Sequence, residues 1–206
     1  MKTVNVMIVG VGGQGSLLAS KLLGKVLLDA GYDVKVSEVH GMSQRGGSVV
    51  TYVRFGDKVA SPIIDLGESD FILSFEKLEA ARYAEYLSPN GKIIVNTQEI
   101  DPMPVIVGKA VYPSHVLNEL ESRDVTVDAV DALTLAEKAG TAKAVNVVLL
   151  GRLARSLPDI PREAWQDAIK SSVKPKFVEV NLRATLMAER EEELKSLLMK
   201  VKEESE

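Results

Sequence analysis

The sequence predicts an α/β protein with a Rossmann-like, open and mostly parallel sheet, flanked by helices and followed by a helical C-terminal region. Three observations support this. The apolar run Val4–Val9 ends in a glycine cluster at 10–15, a helical pattern follows, and the next apolar run, Val34–Val39, ends in a second glycine cluster at 40–47. Strand, glycine turn, helix and strand form a βαβ unit, whose crossover is expected to be right-handed. Ligands of such folds bind at the carboxyl edge of the sheet, where we expect both clusters.

The first strand and helix follow from the spacing of apolar residues. Val4–Val9 is short and almost entirely apolar, which is typical of a buried strand. Gly13–Ala30 carries leucines and valines at helical spacing, which predicts a helix with one wide apolar face. Gly31 is a plausible C-cap for this helix, because glycine adopts the left-handed conformation that commonly ends a helix.

The elements after the second cluster follow from composition and turn residues. Ser48–Phe55 is rich in β-branched and aromatic residues and predicts a third strand. There is no room for a helix between this strand and the second one, so it can interrupt the alternation of strands and helices along the chain. Further strands are predicted at Phe71–Phe75, Lys92–Asn96, Val105–Val111 and Val125–Val130, with a turn at Pro89–Gly91. Further helices are predicted at Glu76–Leu87, from Ser114, at Ala132–Ala139 capped by Asp131, from Thr141 through Leu150, and from Pro161.

The C-terminal region has the pattern of a long amphipathic helix from Lys176 onward. We divide the chain into a Rossmann-like domain at 1–180 and a C-terminal amphipathic helix at 181–206. This helix packs either on its own core or on a partner subunit, and the pattern alone leaves both possibilities open.

Composition excludes several classes of function. The 206 residues carry a formal net charge of −4, which gives no electrostatic footprint for nucleic acid. Cysteine is absent and there are two histidines, so we expect no disulfide, no thiolate nucleophile and no metal held by this chain, although aspartate and glutamate could still form a magnesium site. No apolar run reaches the roughly 18 residues of a membrane span. The N-terminus leads directly into a strand without the features of a signal peptide, so we expect a cytoplasmic protein without a membrane partner.

The first glycine cluster fits the pattern G-x-G-x-x-G through Gly10, Gly12 and Gly15, after a strand and at the start of a helix. The first amide N–H groups of a helix lack internal partners, and the helix dipole favours an anion there. Glu38 lies where a dinucleotide fold places its ribose-binding acid. An independent nicotinamide dehydrogenase is therefore one possible function, and a purely structural turn is another.

The second glycine cluster combines hydroxyl, amide and guanidinium donors, on Ser43, Gln44 and Arg45. Arginine binds phosphate or carboxylate through two parallel hydrogen bonds, although it can equally form a structural salt bridge across a turn. His40 could transfer a proton, although a lone histidine at a strand end is more often structural. No set of nucleophile, base and orienting group is evident. This pattern suits a subunit that completes a site whose reactive cofactor belongs to a partner.

The two motifs together resemble those of a known family. Gly-Val-Gly-Gly-Gln-Gly at 10–15 and His-Gly-Met-Ser-Gln-Arg-Gly-Gly-Ser-Val at 40–49 are similar to the gamma-type subunits of 2-oxoacid:ferredoxin oxidoreductases. The second motif most resembles the small, beta subunits of the indolepyruvate-specific members. Lys143–Asn146 and Leu150-Gly151 also fit, and the resemblance covers about residues 3–190.

This resemblance implies a complex that oxidatively decarboxylates an aryl 2-oxoacid such as indolepyruvate. Coenzyme A accepts the acyl group and ferredoxin takes the electrons, while a larger alpha subunit holds thiamine diphosphate and the [4Fe-4S] clusters. Such chemistry is sensitive to oxygen and implies an anaerobic host.

The resemblance also implies a binding face toward the catalytic subunit, made of Gly12, Gly13, Gln14, Gly15, Ser43, Gln44, Arg45 and Gly46. We expect Arg45 and the amides of Gly13–Gly15 to bind an anionic group of coenzyme A or of the oxoacid. No residue is assigned a catalytic role. A purely structural assembly subunit remains an alternative to one that completes an active site.

Overall fold

A computed structural model describes the backbone of residues 2–38 and 47–203, and the side chains of these residues as far as 191. The described strands are β1 (Val4–Val11), β2 (Asp33–Glu38), β3 (Ser48–Gly56), β4 (Ser69–Ser74), β5 (Leu87–Asn96) and β6 (Thr126–Val130). The described helices are α1 (Ser16–Asp29), α2 (Lys77–Arg82), α3 (Met103–Ile106), α4 (Val116–Glu121), α5 (Ala132–Ala139), α6 (Val145–Ala154), α7 (Arg162–Ser172) and α8 (Val178–Glu203).

The strands form one sheet in the order β2-β3-β1-β4-β5-β6. β1, β4, β5 and β6 pair in parallel, whereas β3 lies antiparallel between β1 and β2. The connection from β2 to β3 is too short for a parallel crossover, so β3 returns directly beside β2 in the opposite direction. The prediction of an open, mostly parallel α/β sheet is confirmed, and so is the interruption of the alternation at β3.

Helices cover both faces of the sheet, because its central strands are apolar on both sides. Val6 and Ile8 of β1 face a large core that contains α1 and α5–α8. Met7 and Val9 face a smaller core that contains α2 and α4. Because successive side chains of a strand point to opposite faces of the sheet, β1 packs against the helices on both faces.

The first part of α8 packs on the protein's own core. Ala184 and Ala188 are fully buried, and a Cβ built on Gly151 of α6 would lie 2.8 Å from the carbonyl oxygen of Thr185 in α8. Glycine at 151 therefore lets these two helices approach closely. α8 passes without a break through residue 180, and the division of the chain there stays a prediction.

Most predicted elements lie where expected, with boundary shifts of a few residues. α1 begins at Ser16 instead of Gly13. Gly31 has φ +89° just beyond its last turn. Asp131 caps α5 by accepting a hydrogen bond of 3.0 Å from the Thr134 amide. Val39, the predicted end of the second strand, lies outside the described residues.

The strand predicted at Val105–Val111 is wrong. Residues 103–106 form the short helix α3, which Pro102 precedes and which carries Pro104 in its first turn. Proline is tolerated there because the first turn needs no amide donor. The chain then reverses at Gly108, with φ +72°. The apolar residues of this segment are exposed rather than paired in the sheet, and Val111 is 89% exposed.

The turn predicted at Pro89–Gly91 lies inside β5 instead of before it. The pairing of β5 with β4 shifts register between Ser69 and Phe71, where Leu87 and Lys92 are the respective partners. The turn residues thus form an irregularity within the strand, since proline and glycine disrupt a regular ladder without ending it.

Candidate functional site

The first glycine cluster forms a tight turn between β1 and α1. The amide of Gln14 donates to the carbonyl oxygen of Val11 at 3.2 Å. Gly13 and Gly15 have φ values of +101° and +91°. Both values lie in the left-handed region that other residues rarely adopt, so these two glycines are required by the backbone.

The start of α1 presents amide donors at this turn. Gly15 is the N-cap and has no side chain, and the first helical turn contains no acidic residue. Within the described part of the chain, the amides of Gly13, Gly15, Ser16 and Leu17 have no hydrogen-bond acceptor. Together with the helix dipole, these N–H groups make the turn suitable for an anion.

The side chain of Gln14 is used within the fold. Its Oε1 accepts a hydrogen bond of 2.7 Å from the Val11 amide, and its Nε2 donates to the carbonyl oxygen of Phe75 at 3.0 Å. Phe75 follows β4, so Gln14 ties the glycine turn to the neighbouring parallel strand. This geometry favours a role in positioning the turn.

The second glycine cluster lies largely outside the described residues, which exclude His40, Ser43, Gln44, Arg45 and Gly46. The residues on either side of it are described. Gly47 accepts a hydrogen bond of 2.8 Å from the Gly12 amide through its carbonyl oxygen, and Ser48 pairs with Val11. Glu38, on the other side, pairs with Thr51. The second cluster therefore leaves and re-enters the sheet at the edge that carries the first glycine turn.

The position of Glu38 differs from that of a ribose-binding acid in a dinucleotide fold. β3 separates β2 from β1, so two strand spacings of about 4.8 Å each lie between β2 and the strand that ends in the glycine turn. Glu38 Oε1 also accepts a hydrogen bond of 2.6 Å from Ser20 Oγ of α1. This arrangement weakens the dinucleotide interpretation, which needs the acid on the strand adjacent to the turn.

Sequence reasoning missed a polar network that holds the start of β3. The buried Glu79 of α2 accepts a hydrogen bond from Ser48 Oγ and one of 3.1 Å from Arg82 Nε. Tyr83 OH lies 3.2 Å from the same serine oxygen. Ser48 directly follows the second cluster, so this network fixes the point at which that cluster joins the sheet. A glutamate in an otherwise ordinary helical pattern gave no sequence signal for this role.

A second buried glutamate, Glu76, joins three segments at the carboxyl end of β4. It caps α2 by accepting a hydrogen bond of 2.9 Å from the Glu79 amide. It also accepts one of 3.2 Å from the Ile100 amide and one from the hydroxyl of Tyr112. Burial and the hydrogen bond to Glu76 raise the pKa of Tyr112 well above its usual value, so this hydroxyl stays protonated.

One further polar residue, Asn146, lies beside the glycine turn. It is in the first turn of α6 and is 3% exposed. A Cβ built on Gly15 would lie 3.5 Å from its Nδ2. The sequence indicated this residue only as part of the stretch Lys143–Asn146, without a role.

Two negative findings concern the described residues. They contain no group of three or more histidine, cysteine, aspartate or glutamate side chains that could hold a metal ion. None of their helices has the length and apolar composition needed to cross a bilayer.

Comparison with known proteins identifies close relatives. Residues 5–190 match the model of the family described as pyruvate ferredoxin/flavodoxin oxidoreductase. The chain is 47% identical over 191 residues to indolepyruvate oxidoreductase subunit IorB of Pyrococcus horikoshii, a match that covers 89% of this chain and 93% of the relative.

Solved structures share the fold. Pyruvate oxidoreductase subunit PORC of Thermotoga maritima superposes with a TM-score of 0.69 at 22% identity, covering 92% of this chain and 97% of the other. The 2-oxoglutarate:ferredoxin oxidoreductase of Magnetococcus marinus, solved with 2-oxoglutarate, coenzyme A and succinyl-CoA bound, superposes with a TM-score of 0.67 at 15% identity. That match covers 91% of this chain and 30% of the other, so the unit is one part of a longer polypeptide there.

Proposed function

Since the chain belongs to the pyruvate ferredoxin/flavodoxin oxidoreductase family, we propose that its two glycine clusters complete the active site of a larger, thiamine diphosphate-bearing partner subunit. The chain is the small subunit of a 2-oxoacid:ferredoxin oxidoreductase complex. The role of the glycine clusters within that complex is the proposal.

The reaction of the complex is the oxidative decarboxylation of indolepyruvate or a related aryl 2-oxoacid. The bond between the carboxylate and the oxo carbon breaks, carbon dioxide leaves, and the oxo carbon forms a bond with the sulfur of coenzyme A. Two electrons pass to ferredoxin and the thiol proton is released. Identity of 47% to a subunit of indolepyruvate oxidoreductase supports this choice of substrate. The complex is expected in the cytoplasm of an anaerobic host.

The reactive cofactors belong to the partner in this proposal. Thiamine diphosphate supplies the chemistry that breaks the carbon–carbon bond, and [4Fe-4S] clusters carry the electrons. The chain has no cysteine, so it offers no thiolate ligand to such a cluster. Its own residues would contribute binding and orientation.

The observation that carries the proposal is the donor set at the start of α1. The four amide N–H groups of Gly13, Gly15, Ser16 and Leu17, which have no acceptor among the described residues, suit a phosphate group of coenzyme A or the carboxylate of the oxoacid. Gly12 and Gly47 join this turn to the second cluster, which contributes Ser43, Gln44, Arg45 and Gly46. Gln14 holds the turn in place through Val11 and Phe75.

The test is Arg45→Ala in the complex reconstituted with its large subunit. We expect the KM for coenzyme A or for the 2-oxoacid to rise about tenfold, because a charge-assisted hydrogen bond to the anion is lost. Arg123→Ala is the matched control, since the Arg123 side chain is 76% exposed and pairs only loosely with Glu119 at 3.7 Å. Unchanged KM and kcat values in an intact Arg45→Ala complex would contradict the proposal. Weaker association with unchanged kinetics would instead identify an assembly subunit.

A further inference from the structure

Asn146 faces the first glycine turn from the side of α6. Its side chain is 3% exposed, which is unusual for an amide group. The amino nitrogen Nδ2 lies 3.5 Å from the point where a Cβ on Gly15 would stand, and Cγ lies 3.9 Å from that point. Asn146 therefore lies beside the turn that presents the α1 amides.

The orientation of the amide follows from its hydrogen bond. Oδ1 accepts from the Val147 amide at 2.9 Å, which leaves the amino group, the donor end, directed toward Gly15. Among the described residues no acceptor is found for Nδ2. Nδ2 is not one of the described buried atoms that lack a partner, so it reaches the solvent at the turn, where the acceptor of a ligand can replace water.

We propose that Asn146 is a further binding residue, whose Nδ2 donates to the same anionic group that the amides of Gly13, Gly15, Ser16 and Leu17 bind. The inference rests on the proposed function of the glycine turn and adds a side-chain donor from a second helix. A phosphate or carboxylate has enough lone pairs to accept hydrogen bonds from both helices at once. A neutral amide can donate in this buried place without a counter-charge of its own, which lysine or arginine would need.

The experiment is steady-state kinetics of the reconstituted complex with Asn146→Leu and Asn146→Asp. Leucine is similar in size and removes the donor, whereas aspartate keeps the shape and places a negative charge beside the anion. Aspartate also suits the first turn of a helix, which favours folding. Asn118→Leu and Asn118→Asp on the exposed surface of α4 are the matched controls.

We expect the KM for one substrate to rise about tenfold in Asn146→Leu and further in Asn146→Asp, since each change removes a hydrogen bond to a charged group. A rise for coenzyme A identifies a phosphate as the anion, and a rise for the 2-oxoacid identifies its carboxylate. Folding and subunit composition are checked by circular dichroism and by mass. Unchanged KM values in intact complexes would overturn the inference.

Gly13→Ala, measured in parallel, separates this inference from the proposed function. If Gly13→Ala raises a KM and the Asn146 variants do not, only the role of Asn146 fails. If neither site has an effect, the glycine turn itself binds no substrate. If both Asn146 variants fail to fold, the wild-type chain can be titrated with inorganic pyrophosphate instead. The NMR signals of the Asn146 side-chain amide then report whether this group binds the anion. Signals that stay in place while the Gly13 and Gly15 amides shift would overturn the inference.

Discussion

Helix α6 buries a polar side chain near each of its ends, and the two differ in how they are satisfied. Arg152, near the C-terminal end, is 2% exposed and binds Asp128 of β6 through Nε at 3.1 Å. Lys92 Nζ lies 3.0 Å from the other oxygen of that carboxylate, and Glu191 of α8 lies 3.7 Å from Arg152 Nη1. Asn146, near the N-terminal end, directs an amino group without a described acceptor at the glycine turn.

The two ends of α6 therefore have different roles: the C-terminal end stabilises the fold, and the N-terminal end faces the proposed binding site. The cluster of Arg152, Asp128, Lys92 and Glu191, which we name the charge cluster, pairs its charges within the chain and ties the sheet to α6 and α8. The glycine turn instead presents donors whose acceptors the described residues do not supply. Polar groups matched inside the chain indicate structure, and donors left for an outside acceptor indicate a ligand.

Arg152→Met should give the largest loss of stability. It removes the arginine while Asp128 stays buried, and breaking a buried pair from one side costs about 3–5 kcal/mol of the free energy of unfolding. Urea unfolding measures the loss. Arg123→Met, at an exposed and loosely paired arginine, should change that free energy by less than about 1 kcal/mol. Equal unfolding midpoints for the two variants would show that the charge cluster does not stabilise the fold.

Gln14→Ala should give an intermediate loss, because the Val11 amide loses its acceptor. Because Val11 is only half-buried, the cost should lie near the lower end of the about 1–3 kcal/mol that an unsatisfied buried group takes from the free energy of unfolding. The carbonyl oxygen of Phe75 keeps the hydrogen bond of 3.1 Å from Asn96 Nδ2, which limits the loss. Gln166→Ala on α7 is the control, since no hydrogen bond of the Gln166 side chain is found among the described residues. If Gln14→Ala were no more destabilising than Gln166→Ala, Gln14 would not be holding the turn.

Acid should reduce the contribution of the charge cluster to the free energy of unfolding, by less than either of these two substitutions reduces that free energy. Burial alone would raise the pKa of Asp128, but hydrogen bonds from Arg152 and Lys92 outweigh it and hold that pKa below its usual value. Because the folded state binds this proton less tightly than the unfolded chain, the stabilisation is present above the unfolded pKa of about 3.9 and is lost as the pH falls through the folded value. Urea unfolding between pH 6 and pH 3 should show a shallower decline in Asp128→Asn than in the wild type. Parallel declines would assign the acid sensitivity to other carboxylates.

Much of the fold could be predicted because it depends on local patterns. The apolar run that forms β1 and the cap at Asp131 act over a few residues and are visible in the sequence. Val105–Val111 has a similar apolar composition but was predicted wrongly, because its neighbouring prolines and Gly108 decide its path. Short apolar runs do not by themselves distinguish a buried strand from an exposed loop.

The only part of the candidate site that could be predicted from the sequence is the turn whose backbone conformation requires glycine. The positive φ values of Gly13 and Gly15 correspond to a recognisable motif. The proximity of Asn146 to Gly15 and the hydrogen bond between Ser48 and Glu79 join residues that are far apart in the sequence, by 131 and 31 positions respectively. Such contacts depend on how helices pack, which no local pattern contains.

The most direct test of the central claim compares Gly13→Ala with Gly31→Ala in the reconstituted complex. These glycines lie near opposite ends of α1, have φ values of +101° and +89°, and have open space where a Cβ would stand. Both substitutions should therefore cost a similar free energy of unfolding, about 1–2 kcal/mol from backbone strain. If the turn binds the anion, Gly13→Ala should raise the KM for coenzyme A or the 2-oxoacid several-fold, while Gly31→Ala leaves the kinetics unchanged. Identical kinetics for the two variants in fully assembled complexes would contradict the claim that this chain completes the active site.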